Sequence, residues 1–195
     1  MLMRSRARTM DPLHVSMTGV RMGERFLQIG CHDRALLSGL AAKVGLSGTA
    51  AVAAFDDAEA KRAGGVGAKV GALIETHKIE GRALPFDSNQ FDMVVVDDTD
   101  GRFAAIADDV RADYLREAKR AVRPGGRIEI IEGVAATRPQ AYDVLRDLET
   151  VGFKPVRLLA ERDGFRFIEG LRAPAFAEAS ASPKATADKS ADKPS

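Results

Sequence analysis

Residues 117–133, EAKRAVRPGGRIEIIEG, restrict the possible folds more than any other stretch, because an amphipathic helix, a Pro-Gly-Gly stop and an apolar strand follow one another within seventeen residues. Val110, Tyr114, Leu115 and Ala118 recur at helical spacing. Pro124 then forbids another helical turn, and Gly125 and Gly126 permit the reversal into a strand over 127–131. This is a helix-to-strand crossover, the connection that parallel sheets require.

The rest of the chain keeps that rhythm between about residues 20 and 170. The first strand is expected at 25–29, ending at Gly30. A helix follows over 34–44, with Leu36, Leu37, Leu40, Ala41 and Val44 as its apolar stripe and Gly45 at its C-terminal end. Residues 49–55 read as a buried strand of small side chains, with Asp56 and Asp57 available to cap the next helix. That helix is expected to be short or broken, since Gly64, Gly65, Gly67 and Gly71 each disfavour helix by roughly 1 kcal/mol relative to alanine. Strands are expected within 73–79 and at 91–97, a helix over 140–151, and a final antiparallel pair, 155–162 and 165–169, around the turn dipeptide Asp163-Gly164.

Composition narrows the function classes. With 29 basic and 28 acidic residues among 195, total charge gives no reason to expect a nucleic-acid partner or a membrane surface. A single cysteine, Cys31, excludes an internal disulfide framework and fits the cytoplasm. No apolar run approaches membrane-spanning length. The expected organisation is an N-terminal arm at 1–19, bearing Arg4, Arg6 and Arg8, one domain at 20–171, and a disordered Ala/Ser/Pro/Lys-rich tail at 172–195.

The segment 117–133 resembles the "E-x-x-R-V-L-x-P-G-G-x-x-x-I" stretch of class I S-adenosylmethionine-dependent methyltransferases, in particular the small-molecule branch with the ubiquinone and menaquinone methylases (methyltransferase type 11). Residues 79–92, IEGRALPFDSNQFD, resemble that family's "G-D-A-x-x-L-P-F-x-D-x-x-F-D". The resemblance implies an α/β, Rossmann-like three-layer sandwich whose mostly parallel seven-stranded sheet ends in an antiparallel C-terminal hairpin. It also implies S-adenosyl-L-methionine as cofactor and a small-molecule acceptor.

In such a sheet ligands lie beyond the carboxyl ends of the strands. There the family carries an acidic residue followed by G-x-G-x-G, whereas this chain reads Gln28-Ile29-Gly30-Cys31-His32-Asp33-Arg34. Only Gly30 of the three glycines is present. Gln28 stands at the acidic position, Asp33 offers a charge for the cofactor's ammonium group, and His32 either lines the methionine slot or fills it. The ribose-binding carboxylate falls on Asp56, with Asp57 its rival, and helix capping is the alternative role for both. The resemblance assigns Glu80 to the adenine amino group and Ala83 and Leu84 to the adenine ring.

After the fourth strand, Asp97 contacts cofactor or, with Asp98, serves as base or substrate-positioning group. With Asp100 these form either a functional cluster or a solvated acidic loop, and no metal site is assigned. The glycines at 64–67 lack the Gly-Lys-Ser/Thr of a phosphate-binding loop, and Cys31, His14 and His77 form no catalytic or metal-binding set. Two functions stay open: methyl transfer to a small acceptor, or a non-catalytic methyltransferase-like binding module that has lost cofactor binding.

Overall fold

In the computed structural model, which describes residues 11–140 and 142–175, strand and helix alternate along the chain. The elements are α1 (Pro12–Met17), β1 (Arg25–Ile29), α2 (Arg34–Val44), β2 (Thr49–Ala54), α3 (Asp57–Val70) and β3 (Ile74–Lys78). They continue with β4 (Phe91–Asp98), α4 (Asp108–Ala121), β5 (Val122–Gly133), α5 (Val144–Thr150), β6 (Val156–Arg162) and β7 (Phe165–Leu171). All seven strands join one sheet in the order β3-β2-β1-β4-β5-β7-β6. β1 to β5 run parallel, and β7 and β6 add an antiparallel hairpin beyond β5. The expected Rossmann-like sandwich is therefore present. Its strand order reverses between β1 and β4, which places the ligand crevice at their carboxyl ends.

Burial explains the layers. Met93 to Val96 of β4 and Ala51 to Ala54 of β2 are wholly enclosed, because helices cover both faces of the parallel part. Leu27, Val94, Ile128 and Ile130 pack with Tyr114, Leu115 and Ala118 of α4 and Leu148 of α5. Phe26, Met93 and Phe167 on the opposite face pack with Leu36, Leu37 and Leu40 of α2, Ala63 and Val66 of α3, and Val15 of α1. The expected N-terminal arm thus contributes a helix to the core. Asp11 caps it by accepting from Leu13 and His14, and the buried His14 ring stacks on Phe167. Arg4, Arg6 and Arg8, and the tail from residue 176 onward, lie outside the described residues.

Three expectations are corrected. The glycine-rich helix is unbroken: α3 runs fourteen residues and ends at Gly71, whose positive φ supplies the left-handed C-cap. Asp56 caps its start, and Ala63 and Val66 anchor it, so tertiary burial outweighs weak propensity. The Pro-Gly-Gly stop lies inside β5 rather than before it. Val122 already pairs with Phe91, a register shift follows, and pairing resumes at Met93 and Arg127. Gly126 allows this bulge, since a Cβ there would sit 2.7 Å from the Asp92 carbonyl. The helix expected over 140–151 is α5, which begins at Val144 because Asp143 caps it through the Arg146 N–H. The β6–β7 turn matches its sequence, with Asp163 and Gly164 both at positive φ.

Candidate functional site

The loop after β1 is organised by a carboxylate from the neighbouring strand. Asp97, at the end of β4, accepts from the His32 and Asp33 N–H groups through Oδ2, both at 2.8 Å. Its Oδ1 accepts from the Thr99 hydroxyl at 2.6 Å and the Thr99 N–H. Burial raises its pKa, while these donors favour the anion. Asp97 therefore ties β1 to β4 at the point where the sheet order reverses. Gly30 has φ of 77°, and a Cβ on it would approach both the Asp97 carbonyl and the Phe55 ring at 3.2 Å, so glycine is required.

The other residues of this loop are committed locally. The Gln28 side chain is fully enclosed and donates to the Gly30 carbonyl at 3.0 Å. Asp33 caps α2, accepting from Ala35 and Leu36. The His32 ring turns outward, half-exposed, to Asp100 at 3.1 Å. Cys31 is buried and its thiol is pushed up to about 12, chiefly by desolvation, so it is no nucleophile at neutral pH.

At the end of β2, of the residues that dominate the crevice the sequence singled out only Asp56. Asp56 uses Oδ1 to cap α3 and Oδ2 to accept from Arg102 at 2.8 Å. The Glu59 N–H first, then Arg102, holds its carboxyl below the usual range. The same guanidinium donates to the buried Glu59 at 3.0 Å and lies over the Phe55 ring, 5.3 Å from its centroid. Phe55 in turn rests against Gly30. Arg62 donates to the Cys31 carbonyl at 2.7 Å, joining α3 to the first loop. Arg102 lies 46 residues from Asp56 and Phe55 belongs to no motif, so only the fold shows that they converge.

Glu80 and Ala83 bridge each other across a tight turn beyond β3, both exposed. Leu84 is instead buried in the core beneath α4, and its N–H donates to Glu117 at 3.0 Å. The structure thus groups Gly30, His32, Asp56, Asp97 and Phe55 at the carboxyl ends of β1, β2 and β4, with Glu80 at the β3 end.

Strand alternation sends Asp98 to the opposite face from Asp97. Asp98 accepts from the Phe103 and Ala104 N–H groups through Oδ1. Its Oδ2 lies 3.7 Å from Arg138, which also reaches Glu132 at 3.2 Å. Glu132 pairs further with Arg166 at 3.0 Å, and Tyr142 stands nearby with its hydroxyl pKa pushed up by burial and by these carboxylates. Desolvation raises Asp98 to about 7 against the pull of its backbone donors and Arg138, the range for a proton acceptor at neutral pH. Arg138, Glu132 and Tyr142 carried no motif; Glu132 stands in register with Asp98 on β5, and the loop after β5 brings Arg138 and Tyr142 to the pair.

No helix among the described residues is long and apolar enough to cross a membrane, and no group of metal-ligating side chains occurs among them. No curated protein matches the chain. Among solved structures, an S-adenosylmethionine-dependent methyltransferase from Aquifex aeolicus superposes with a TM-score of 0.69 at 21% identity, covering 86% of this chain and 93% of that one. An S-adenosylmethionine-dependent O-methyltransferase from Thermotoga maritima superposes at 0.65 with 18% identity, covering 87% and 68%. The cyclase SpnF gives 0.63 at 12% identity, covering 88% and 85%. At such identities the likeness establishes the fold alone. The methyltransferase domain family matches residues 27–130, more than half of the chain, so the chain belongs to that family.

Proposed function

We propose that this chain binds S-adenosyl-L-methionine across the carboxyl ends of β1, β2 and β4 and methylates a small acceptor at the Asp98 side of the crevice. The observation that carries the reading is the strand-end set at the reversal point, where Gly30 admits close approach and Asp56 stands at the end of β2. Asp56 suits the ribose hydroxyls and Glu80 the adenine amino group. The residues fit the cofactor on one condition: Arg102 leaves Asp56, freeing the Oδ2 it now occupies.

When bound, the cofactor supplies a sulfonium methyl group to an acceptor lone pair. The chain's own part is to hold the partners in line and keep water out. Asp98 adds a proton acceptor for an oxygen or nitrogen nucleophile. Methyl transfer should then rise with pH through about 7 as Asp98 ionises, and Asp98→Asn should remove that limb of the profile. The buried lone cysteine and the small-molecule crevice favour a cytoplasmic enzyme.

A second reading is favoured by a specific observation. Phe55 against Gly30 and Arg102 on Asp56 fill the crevice with the chain's own side chains, as a non-catalytic binding module would allow. Calorimetric titration with S-adenosylmethionine and S-adenosylhomocysteine separates the two. The methyltransferase reading expects saturable binding weakened by Asp56→Ala and by Glu80→Ala. Absence of binding at millimolar ligand would leave the module.

A further inference from the structure

We infer that the groove between α2 and α3, outside the crevice described above, is a binding site for a compact phosphate-bearing anion. The groove has a volume of about 800 Å³, within the range of small-molecule sites. Its rim carries Arg34 and Lys61 at one end, Arg62 between the helices and Lys69 further along α3. Arg62 is engaged with the Cys31 carbonyl and lies 3.7 Å from Glu59. Arg34, Lys61 and Lys69 have no carboxylate or hydrogen-bond partner among the described residues.

The whole chain carries a net charge of only +1, and most of its other arginines are matched by carboxylates, such as Arg82 with Asp109 and Asp113, Arg111 with Asp108 and Asp147, and Arg127 with Glu24, so three unpartnered cations along one groove stand out. Arg34 is the first residue of α2, directly after the Asp33 carboxylate that caps the helix through the Ala35 and Leu36 N–H groups. An anion in the groove would pair with the cations left unmatched there.

The α3 wall points the same way. Gly65 is exposed, lines the groove in mid-helix without a positive φ, and a Cβ there would meet nothing within 4 Å. Neither backbone conformation nor packing demands glycine, yet glycine weakens the helix. Its absent side chain leaves room for a ligand to lie against α3. Four cations along one groove suit a polyphosphate or phosphate ester. A long nucleic-acid strand would call for an extended basic face, which the near-neutral total does not supply.

Titration calorimetry of the full chain with inorganic tripolyphosphate at low salt tests this independently of any methyl transfer. Saturable binding at one site is expected, weakened at least tenfold in a Lys61→Ala, Lys69→Ala double variant. Gly65→Leu leaves the charge unchanged and should abolish binding while its thermal melt remains cooperative. Absence of binding at millimolar tripolyphosphate, or equal binding by Gly65→Leu, would overturn the site. Tighter binding of a twenty-nucleotide RNA, lost in the same variants, would assign the groove to nucleic acid and overturn the compact ligand.

Discussion

Two residues decide more about this protein than its motifs do. Arg102 neutralises Asp56 and Glu59 together and lies over Phe55, so a ligand needing Asp56 must compete with a side chain already in place. Asp56 and Arg102 are both partly exposed, and exposed pairs are weak, so displacement is affordable for a charged ligand. Arg102→Ala should therefore tighten S-adenosylhomocysteine binding by about two- to fivefold in calorimetry. Weaker binding would mean that Arg102 itself grips the ligand.

Glu129 is the second. It is fully buried in mid-sheet beside Glu169, neither of its oxygens has a hydrogen-bond partner, and desolvation pushes its pKa to about 8. Its folded pKa lies above the ordinary 4.5, so the folded state binds the proton more tightly and stability falls as pH climbs from about 4.5 to about 8. The slope is about 1.4 kcal/mol per pH unit at most. Glu129→Gln should flatten it: denaturant melts should show the variant's advantage growing from pH 5 to pH 8 and constant above. Neither residue's role was legible in the sequence. Alternation showed that residue 129 belongs to a strand, but burial of its carboxylate depends on its place in the assembled sheet between β4 and β7.

At the level of elements, α3 shows how packing assigns different meanings to the same residue. A Cβ at Gly64 would meet nothing within 4 Å, whereas at Gly67 it would come within 3.0 Å of the Ala72 carbonyl, where the chain turns into β3. Gly64→Ala should therefore stabilise by up to about 1 kcal/mol and raise the melting temperature by about 2–4 °C. Gly67→Ala should forfeit that gain and lower it. Equal shifts in thermal melts would contradict the close α3–β3 contact. The sequence counted these glycines as equal helix breakers and so expected a broken element. The bounds of β1 and α2, by contrast, were legible to the residue, because Gly30 and Gly45 mark them by local chemistry, whereas the Asp33 cap of α2 went unread.

Across the whole molecule, the sequence spoke more clearly for the scaffold than for the site. The Pro-Gly-Gly segment and the Asp163-Gly164 turn act through backbone conformation, which few residues can satisfy, so the parallel sheet and its closing hairpin were readable in advance. The crevice is built from pairs such as Arg102 with Asp56 and Arg138 with Asp98, far apart in sequence and free of any required spacing. The crevice of this chain is thus filled by its own side chains, over strand ends that carry Gly30, Asp56 and Asp97. If cofactor enters by displacing Arg102, a crystal structure with S-adenosylhomocysteine will show ligand along the ends of β1 and β2, its ribose hydroxyls on Asp56 and the Arg102 guanidinium moved away. Ligand bound elsewhere, or bound with the Arg102–Asp56 pair intact, would rule out that entry.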